Sequence, residues 1–407
     1  MGQMAELAGK RILLGLTGGI AAYKAADLAR ALIKEGADVQ VVMTEAAIRF
    51  ISPVSLQALT GKPVYTSMWD DRIGNGMAHI ELSRDRDLMV VAPATADFIA
   101  KLVHGAADDL LATLCVAREC PLMVAPAMNR QMWENPATRR NVNQLRDDGI
   151  IIEGPASGDQ ACGEIGMGRM SEPAQIVDSI VSWFQPKLLA GARILVTAGP
   201  TFEPIDAVRG ITNLSSGRMG YAIARAARDA GAHVTLVSGR TGLATPTNVS
   251  VVNIVTAQEM HDAVMERIAQ TDILFAVAAV ADYRVKNRQQ HKIKKTHQGL
   301  QLEFEPNPDI LEAVATQDNP PFCVGFAAES RDVEAYATEK RRRKKIPLIA
   351  ANLVQEALGS DENELILVDD EGTHRLPRSS KLDQARRLIR HVTRLYKPAR
   401  KPVASPR

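Results

Sequence analysis

Three stretches of the chain carry residues that could do chemistry with help from the backbone. In Arg209 to Gly220, RGITNLSSGRMG, the residues Arg209, Asn213, Ser215, Ser216 and Gly217 lead into a small-residue helix, Arg218 to Ala230. Backbone N–H groups at a helix start, with serines and arginines alongside, suit a phosphate or a carboxylate. The same residues would also serve an ordinary capped helix after a long polar surface loop. The second stretch is the tight turn Thr17-Gly18-Gly19 ahead of a helix from Ile20 to Glu35. The third is GDQACGEIGMGRM, where four glycines surround Cys162. A glycine-dense loop that can approach a site is a reasonable place for a reactive thiol, though a lone cysteine is weak evidence.

Two basic segments add cations. Arg284 to His297, RVKNRQQHKIKKTH, is too polar for a core and reads as a mobile flap; taken alone, such a flap is solvated surface. Lys340 to Lys345, KRRRKK, lies on a helix pattern in which Lys340 and Lys344 share a face. A nucleic-acid patch is the weaker reading, because net charge is only +2 and no aromatic stacking residues stand nearby.

The elements that must position these residues alternate strand and helix. Arg11 to Leu16 and Asp38 to Met43 read as strands flanking the first helix, whose core face is Ala25, Leu28, Ala29 and Leu32. The first turn, GLTGGIA, lacks the full dinucleotide glycine spacing, and the second strand ends in Thr44 instead of a ribose-binding acid. A mononucleotide phosphate therefore fits better than NAD. Strands at Leu88 to Ala92 and Leu122 to Ala125 run into APATAD (Ala92 to Asp97) and APAMNRQMW (Ala125 to Trp133). In an open α/β sheet the ligand crevice lies at the carboxyl ends of the strands, so these loops should converge. Asn129 and His79 would be the polar members, although His79 taken singly reads as a structural histidine.

A second α/β domain begins at the strand Arg193 to Thr197, with further strands near His233 to Val237, Asp272 to Val277, Phe322 to Phe326 and Leu348 to Ala351. Between the halves, SWFQPKLLA from Ser182 to Ala190 ends a helix and supplies a short connector. The chain of 407 residues is too long for one ordinary core, and 46% hydrophobic with 24% charged residues is a soluble globular balance. Its four cysteines show neither CxxC pairing nor metal spacing, so a reducing cytoplasm fits and no disulfide framework or zinc site is indicated. No signal peptide or membrane-length apolar run is present, and the basic, proline-rich end from Lys397 should be disordered.

TGGIAAYK, His79, PAMNxxMW (Pro126 to Trp133) and ACGE (Ala161 to Glu164) together resemble the flavin-dependent cysteine decarboxylases. AGPTxExID (Ala198 to Asp206), RGITNxSSGxMG, AAVAD (Ala278 to Asp282), KIKK (Lys292 to Lys295), NPDI (Asn307 to Ile310) and GFAAE (Gly325 to Glu329) resemble the phosphopantothenate–cysteine ligases. The joint resemblance covers residues 10 to about 396 and is to the bacterial bifunctional coenzyme A biosynthesis family. It implies two Rossmann-like three-layer α/β domains: a flavodoxin-like decarboxylase at 1–188 and a ligase at 189–396, followed by the tail 397–407.

The resemblance also implies chemistry. In the first domain the family oxidises the substrate thiol to a thioaldehyde by passing hydride to FMN, loses carbon dioxide to give an enethiol, and returns the hydride to form 4'-phosphopantetheine. His79 would assist the oxidative half, Asn129 would hold the substrate carboxylate, and Cys162 would give the final proton. Gly18, Gly19, Ile20, Ala21, Thr44, Ala94, Thr95, Ala96 and Met128 would hold FMN. In the second domain, 4'-phosphopantothenate and CTP would form an acyl-cytidylate that cysteine opens. Arg209 and Asn213 would serve the acyl group, Ala278, Asp282 and Phe326 the cytosine, and Lys292, Lys340 and Lys344 the phosphates. Asn307, Pro308 and Asp309 belong to the same nucleotide region, with Mg²⁺ or Mn²⁺ on ligands left unassigned. A trimer-based dodecamer with dimeric ligase domains is implied, with neither nucleic acid nor membrane as partner. Two other classes stay open on residues alone: a peptide-cysteine decarboxylase resembling only the first half, and a non-catalytic flavin- or DNA-associated regulator using the Lys340 cluster.

Overall fold

The computed structural model describes residues 5–73, 77–160, 163–294, 300–353 and 360–397. The chain divides into two compact units, Met1–Phe184 and Gln185–Arg407. In the first, β1 (Arg11–Leu16), β2 (Asp38–Met43), β3 (Leu88–Ala94), β4 (Leu122–Pro126) and β5 (Ile151–Ile152) form a parallel sheet in the order β2-β1-β3-β4-β5. Both faces are covered, which is why these strands read as unbroken apolar runs. Leu14 and Val90 pack with Leu28, Leu32, Ile176 and Ile180 on one face. Leu13 and Val91 pack with Phe98, Leu111 and Leu145 on the other. Each such side chain contributes about 1.5–3 kcal/mol by leaving water.

The expected helix from Ile20 to Glu35 is two pieces, a 3₁₀ turn Ile20–Tyr23 and an α-helix Lys24–Lys34. Gly19 has no side chain to cap the start, and the first turn tightens instead, with Ala22 N donating to Gly19 O at 2.9 Å. The glycine-dense segment forms an antiparallel ribbon of β6 (Ala156–Asp159) and β7 (Ile165–Arg169).

In the second unit six strands run parallel: β8 (Arg193–Ala198), β11 (His233–Ser238), β12 (Ser250–Asn253), β13 (Ile273–Ala276), β16 (Phe322–Glu329) and β17 (Leu348–Leu353). The sheet order is β12-β11-β8-β13-β16-β17, extended antiparallel by β18 (Glu362–Val368) and β19 (Thr373–Ser380). Pro377, which has no N–H to give a neighbour, sits in the edge strand β19. The expected polar loop after β8 contains a ribbon, β9 (Phe202–Pro204) with β10 (Gly210–Thr212). The basic flap starts in a second ribbon, β14 (Tyr283–Val285) with β15 (Phe304–Pro306). Flap residues 295–297 and tail residues 398–407 lie outside the described residues. No helix among the described residues is long and apolar enough to cross a membrane.

The turn after β18 is locked to the last helix, Lys381–Leu395, through buried polar groups. Asp369 accepts from Glu371 N at 2.8 Å and Gly372 N at 3.1 Å, and lies 2.6 Å from His391 Nε2 and 3.2 Å from His374 Nε2. Arg394 Nη2 stands 2.7 Å from His391 Nδ1. Arginine can only donate, so His391 Nδ1 accepts and Nε2–H donates to Asp369: the ring is neutral. Burial pushes His391 below the ordinary histidine value, against the pull of Asp369. The unfolded chain therefore takes up this proton first, and stability falls as pH drops from about 7 towards 5. His391→Gln should lower stability at pH 7 by about 1–3 kcal/mol and flatten that slope, measured by urea unfolding at both pH values. An unchanged slope would mean that another group sets it.

Candidate active sites

In the first unit the strand-end loops meet through one hydroxyl. Thr17, just beyond β1, is buried; its Oγ1 donates to Pro93 O at 2.8 Å and accepts from Thr95 N at 3.0 Å. A Cβ on Gly18 would stand 2.4 Å from Ala46 Cβ, so only glycine lets the turn lie against the Thr44 loop. Thr44 caps the helix Glu45–Ile48, Thr95 caps Ala96–His104, and Asn129 caps Arg130–Glu134 by accepting from Met132 N at 3.0 Å. Ala127 N donates to Ala94 O at 2.9 Å, joining the last two loops. Gly18 to Ala21, Thr44, Ala94 to Ala96, Met128 and Asn129 thus converge as a ring of helix starts, whose free N–H groups suit a phosphate. Ile20 and Tyr23 beside the turn are 64% and 59% exposed, large apolar surface at its rim.

Ala161 and Cys162 lie outside the described residues, but Gln160 and Gly163 on either side of them do not. Gln160 N donates to Glu164 O at 2.8 Å, Arg130 N donates to Gln160 Oε1 at 2.9 Å, and Gln131 Nε2 donates to Glu164 Oε1 at 2.5 Å. Met128 N donates to Gly168 O at 2.9 Å. The ribbon of β6 and β7, between which the cysteine falls in sequence, is therefore laid on the Asn129 loop. Burial pushes the Cys115 and Cys323 thiols up to about 12 and raises Cys120, so none of these three is an activated thiol. His79 is half-buried on the helix Ala78–Ser83, which packs on Leu110–Ala117. Among the described residues no hydrogen bond ties His79 to the strand-end loops.

The second unit repeats the device. Thr197 in β8 is buried, and its Oγ1 accepts from Val277 N at 3.1 Å and Ala278 N at 3.2 Å, holding the loop after β13. Asn213 Nδ2 donates to Ala279 O at 2.7 Å. A Cβ on Gly220 would stand 2.5 Å from Ala198 Cβ, so glycine lets the helix Arg218–Asp229 start directly over the strand end. These contacts enclose a cavity of about 440 Å³ lined by Asn213, Ala278, Phe326 and Lys340 of the motif set. Arg218, Asn352, Asn363 and Lys381 also line it, and among the described residues no Asp or Glu does. None of those four belongs to a motif role read from the sequence; a cation at a helix start carries no mark of what it faces. Lys340 Nζ donates to Phe326 O at 2.9 Å, and burial lowers its pKa.

The other residues to which the resemblance gives a ligase role stand outside this lining. Arg209 Nε donates to Asp206 Oδ2 at 3.0 Å and its Nη2 to Ile293 O at 2.9 Å, while Ile293 N donates to Asp206 Oδ2 at 3.1 Å. Asp206 is buried, and the Arg209 guanidinium with neighbouring amides holds its carboxyl well below the usual range. Arg209 and Asp206 thereby tie the flap beside exposed Lys292 to the β9–β10 ribbon. Lys344 is buried and bonded to Asp309 and Glu312. Burial raises Asp309, but Lys344 and the Glu312 amide outweigh it, leaving the carboxyl below its ordinary value. Asp282 presents an exposed side chain while its carbonyl accepts from Asn307 N at 2.8 Å; Asn307 Nδ2 donates to Ala281 O at 2.8 Å, and half-buried Pro308 follows. Among the described residues, the one group with metal-ligand proximity is Asp369, His374 and His391, away from the cavity lining.

A family model described as Flavoprotein matches residues 3–185, and one described as DNA/pantothenate metabolism flavoprotein C-terminal domain matches residues 189–396. The chain is 49% identical over 398 residues to the coenzyme A biosynthesis bifunctional protein CoaBC of Vibrio vulnificus (strain YJ016), covering 96% of this chain and 99% of that protein. It is 50% identical over 380 residues to the protein of the same name from Escherichia coli (strain K12), covering 91% and 94%. The crystal structure of the C-terminal domain of a coenzyme A biosynthesis bifunctional protein CoaBC aligns with a TM-score of 0.45 at 39% identity, over 51% of this chain and 97% of that one. The chain belongs to the family of bifunctional coenzyme A biosynthesis proteins, enzymes that join a flavoprotein decarboxylase and a ligase in one polypeptide.

Proposed function

We propose that the first unit, residues 1–188, binds FMN and decarboxylates 4'-phosphopantothenoylcysteine. The second, 189–396, makes that substrate from 4'-phosphopantothenate, cysteine and CTP with Mg²⁺ or Mn²⁺. The observation that carries the reading is the second unit's cavity, which among the described residues is lined by Arg218, Lys340 and Lys381 and by no carboxylate. Such a cavity favours a polyanion: a cation held about 4 Å from a phosphate charge is worth roughly 4 kcal/mol at an effective dielectric near 20.

In the ligase, Asn213 holds the acyl group beside Ala279, and Phe326 with Ala278 and Asp282 receives the cytosine. The carboxylate becomes an acyl-cytidylate with loss of pyrophosphate, and the cysteine amine then displaces CMP. Arg209 acts with Asp206 to bring Lys292 over the phosphates, Lys340 meets them from inside, and Lys344 holds Asp309 in place. Asn307 and Pro308 shape the nucleotide side. A divalent metal, when bound with the nucleotide, would offset the charge of its phosphates. A nucleic-acid role for Lys340 to Lys345 is disfavoured, since Lys344 is buried on two carboxylates and Lys340 faces the cavity.

In the decarboxylase, the glycine turn and the helix starts capped by Thr44 and Thr95 fit the phosphate of FMN. Bound flavin supplies the reversible two-electron sink that an aliphatic carboxylate needs before it can leave. Asn129 keeps its carbonyl oxygen on the helix cap, which turns its amide nitrogen to the substrate carboxylate. Cys162, which falls in sequence between the two strands of the ribbon seated against the Asn129 loop, gives the last proton. His79 works from a neighbouring copy in a trimer-based assembly, which would also cover Ile20 and Tyr23.

Incubating the protein with 4'-phosphopantothenate, cysteine, CTP and Mg²⁺ should give 4'-phosphopantetheine by mass; no cysteine adduct would end the ligase reading. Asn213→Asp and Lys292→Gln should each slow ligation at least about tenfold, the effect of losing 1.5–3 kcal/mol of charge-assisted bonding, and leave decarboxylation unchanged. Ligation at the wild-type rate by either variant would remove that residue from the site. Cys162→Ser is too weak an acid near neutral pH, so it should release carbon dioxide yet yield a product two hydrogens short, whereas His79→Asn should release none. Complete 4'-phosphopantetheine from Cys162→Ser would return this cysteine to a structural role.

A further inference from the structure

Asp369, His374 and His391 come from three elements: the turn after β18, the edge strand β19 and the last helix, Lys381–Leu395. One atom from each, a carboxylate oxygen and two ring nitrogens, lies within 4.8 Å of the other two. Both rings turn Nε2 to the same oxygen, for Asp369 Oδ2 is 2.6 Å from His391 Nε2 and 3.2 Å from His374 Nε2. His391 and the amides of Glu371 and Gly372 suffice to lock the turn, so a hydrogen-bonding role leaves His374 over. Its Nε2 stands 3.2 Å from both carboxylate oxygens, at the long end of the hydrogen-bond range. That separation is close to the roughly 3.3 Å between neighbouring ligands on a tetrahedral zinc ion with bonds of about 2.0–2.2 Å. The Asp369 and His391 side chains are 1% and 5% exposed and that of His374 is 34% exposed, so the cluster is walled by protein and open to water at one ring.

We propose that Asp369, His374 and His391 bind a zinc ion, with water as fourth ligand, and that the ion clamps the last helix to the β18–β19 hairpin. The cysteines indicate no zinc site, and this one uses none of them. Its ligands are already in the states a metal needs, a neutral imidazole at His391 and an ionised carboxylate. Burial raises Asp369, but His391, the Glu371 amide and His374 outweigh it and leave the carboxyl below its ordinary value. On binding, the Nε2 proton of His391 leaves and one is taken up at Nδ1, so the ring stays neutral and nothing is oxidised or reduced. Arg394, which donates to Nδ1 and is exposed, then turns to water, and His391 draws back from Asp369 by about 0.7 Å to reach ligand spacing. The turn favours a cation, because exposed Asp370 and Glu371 follow Asp369, with Asp370 paired to Arg341 and Arg394 the opposing charge at the ring. Imidazole nitrogen suits zinc, whereas Mg²⁺ takes octahedral oxygen ligands, so this place is distinct in chemistry from the metal of the ligase reaction.

The test is equilibrium dialysis of the untagged full chain, stripped with a chelator, against buffered Zn²⁺, with urea unfolding alongside. His374→Gln alters the most exposed ligand and should fold; it should weaken one zinc equivalent at least about tenfold relative to the unaltered protein. Saturating Zn²⁺ should raise the urea midpoint of the unaltered protein and not that of His374→Gln, and Mg²⁺ should raise neither. Co²⁺ should give the visible absorption of a tetrahedral ion in the unaltered protein and lose it in His374→Gln. Arg394→Gln removes a positive charge and the donor that opposes a proton on Nδ1, so it should tighten the same equivalent about threefold or more. Equal zinc stoichiometry and affinity in the unaltered protein and His374→Gln would overturn the assignment. So would zinc binding that leaves the urea midpoint unchanged, or weaker binding in Arg394→Gln.

Discussion

Each unit hangs its site on a buried threonine hydroxyl at the end of its first strand. Thr17 joins the end of β1 to the loop after β3, and Thr197 joins the end of β8 to the loop after β13. In both sheets the strand so joined is a parallel neighbour of the first, on the side opposite β2 or β11. There the chain leaves adjacent strands in opposite directions and opens a crevice. A hydroxyl is short and stiff, so it fixes the separation of two loops that have little packing of their own. Left unpaired in that interior it would cost about 1–3 kcal/mol, so the same bond that places the loops penalises their parting.

On that common frame the two units present different chemistry. The first surrounds its crevice with neutral helix starts and a glycine cradle, suited to a singly placed phosphate and a flat ring. The second lines a cavity with cations and asparagines and, among the described residues, keeps its carboxylates outside. Its acids are used as fasteners: Asp206 on Arg209 and the flap, Asp309 and Glu312 on Lys344, Asp361 on Arg218. Several motif residues are therefore paired with one another, and the cavity face falls partly to residues outside the motifs.

The sequence reading and the structure agree most closely where pattern is strongest. Arg11–Leu16 and Asp38–Met43 have the bounds read from their apolar runs, and the strand after Thr271 is shorter by one residue at each end, Ile273–Ala276. The antiparallel ribbons escaped because their strands are short and polar or rich in glycine, as in Ala156–Asp159, or carry proline at an edge, as in Thr373–Ser380. Convergence of the Gly18, Thr44, Thr95 and Asn129 loops was legible, since parallel strand order predicts it. The direction of each lysine was not: Lys340 and Lys344 share a helix face, yet the second turns to Asp309, 35 residues away in the chain. Nothing local to Lys381 reveals that Ser360, Arg218 and a cavity surround it.

If each site depends on its own threonine, the two activities must fail separately. The direct measurement is the rate of ligation and of decarboxylation, with flavin content, in Thr17→Val and Thr197→Val, substitutions that keep shape and remove only the hydroxyl. Thr17→Val should lose flavin and decarboxylation while ligating at the wild-type rate, and Thr197→Val should lose ligation while staying yellow and decarboxylating normally. Loss of both activities in either variant, or of neither, would contradict the account.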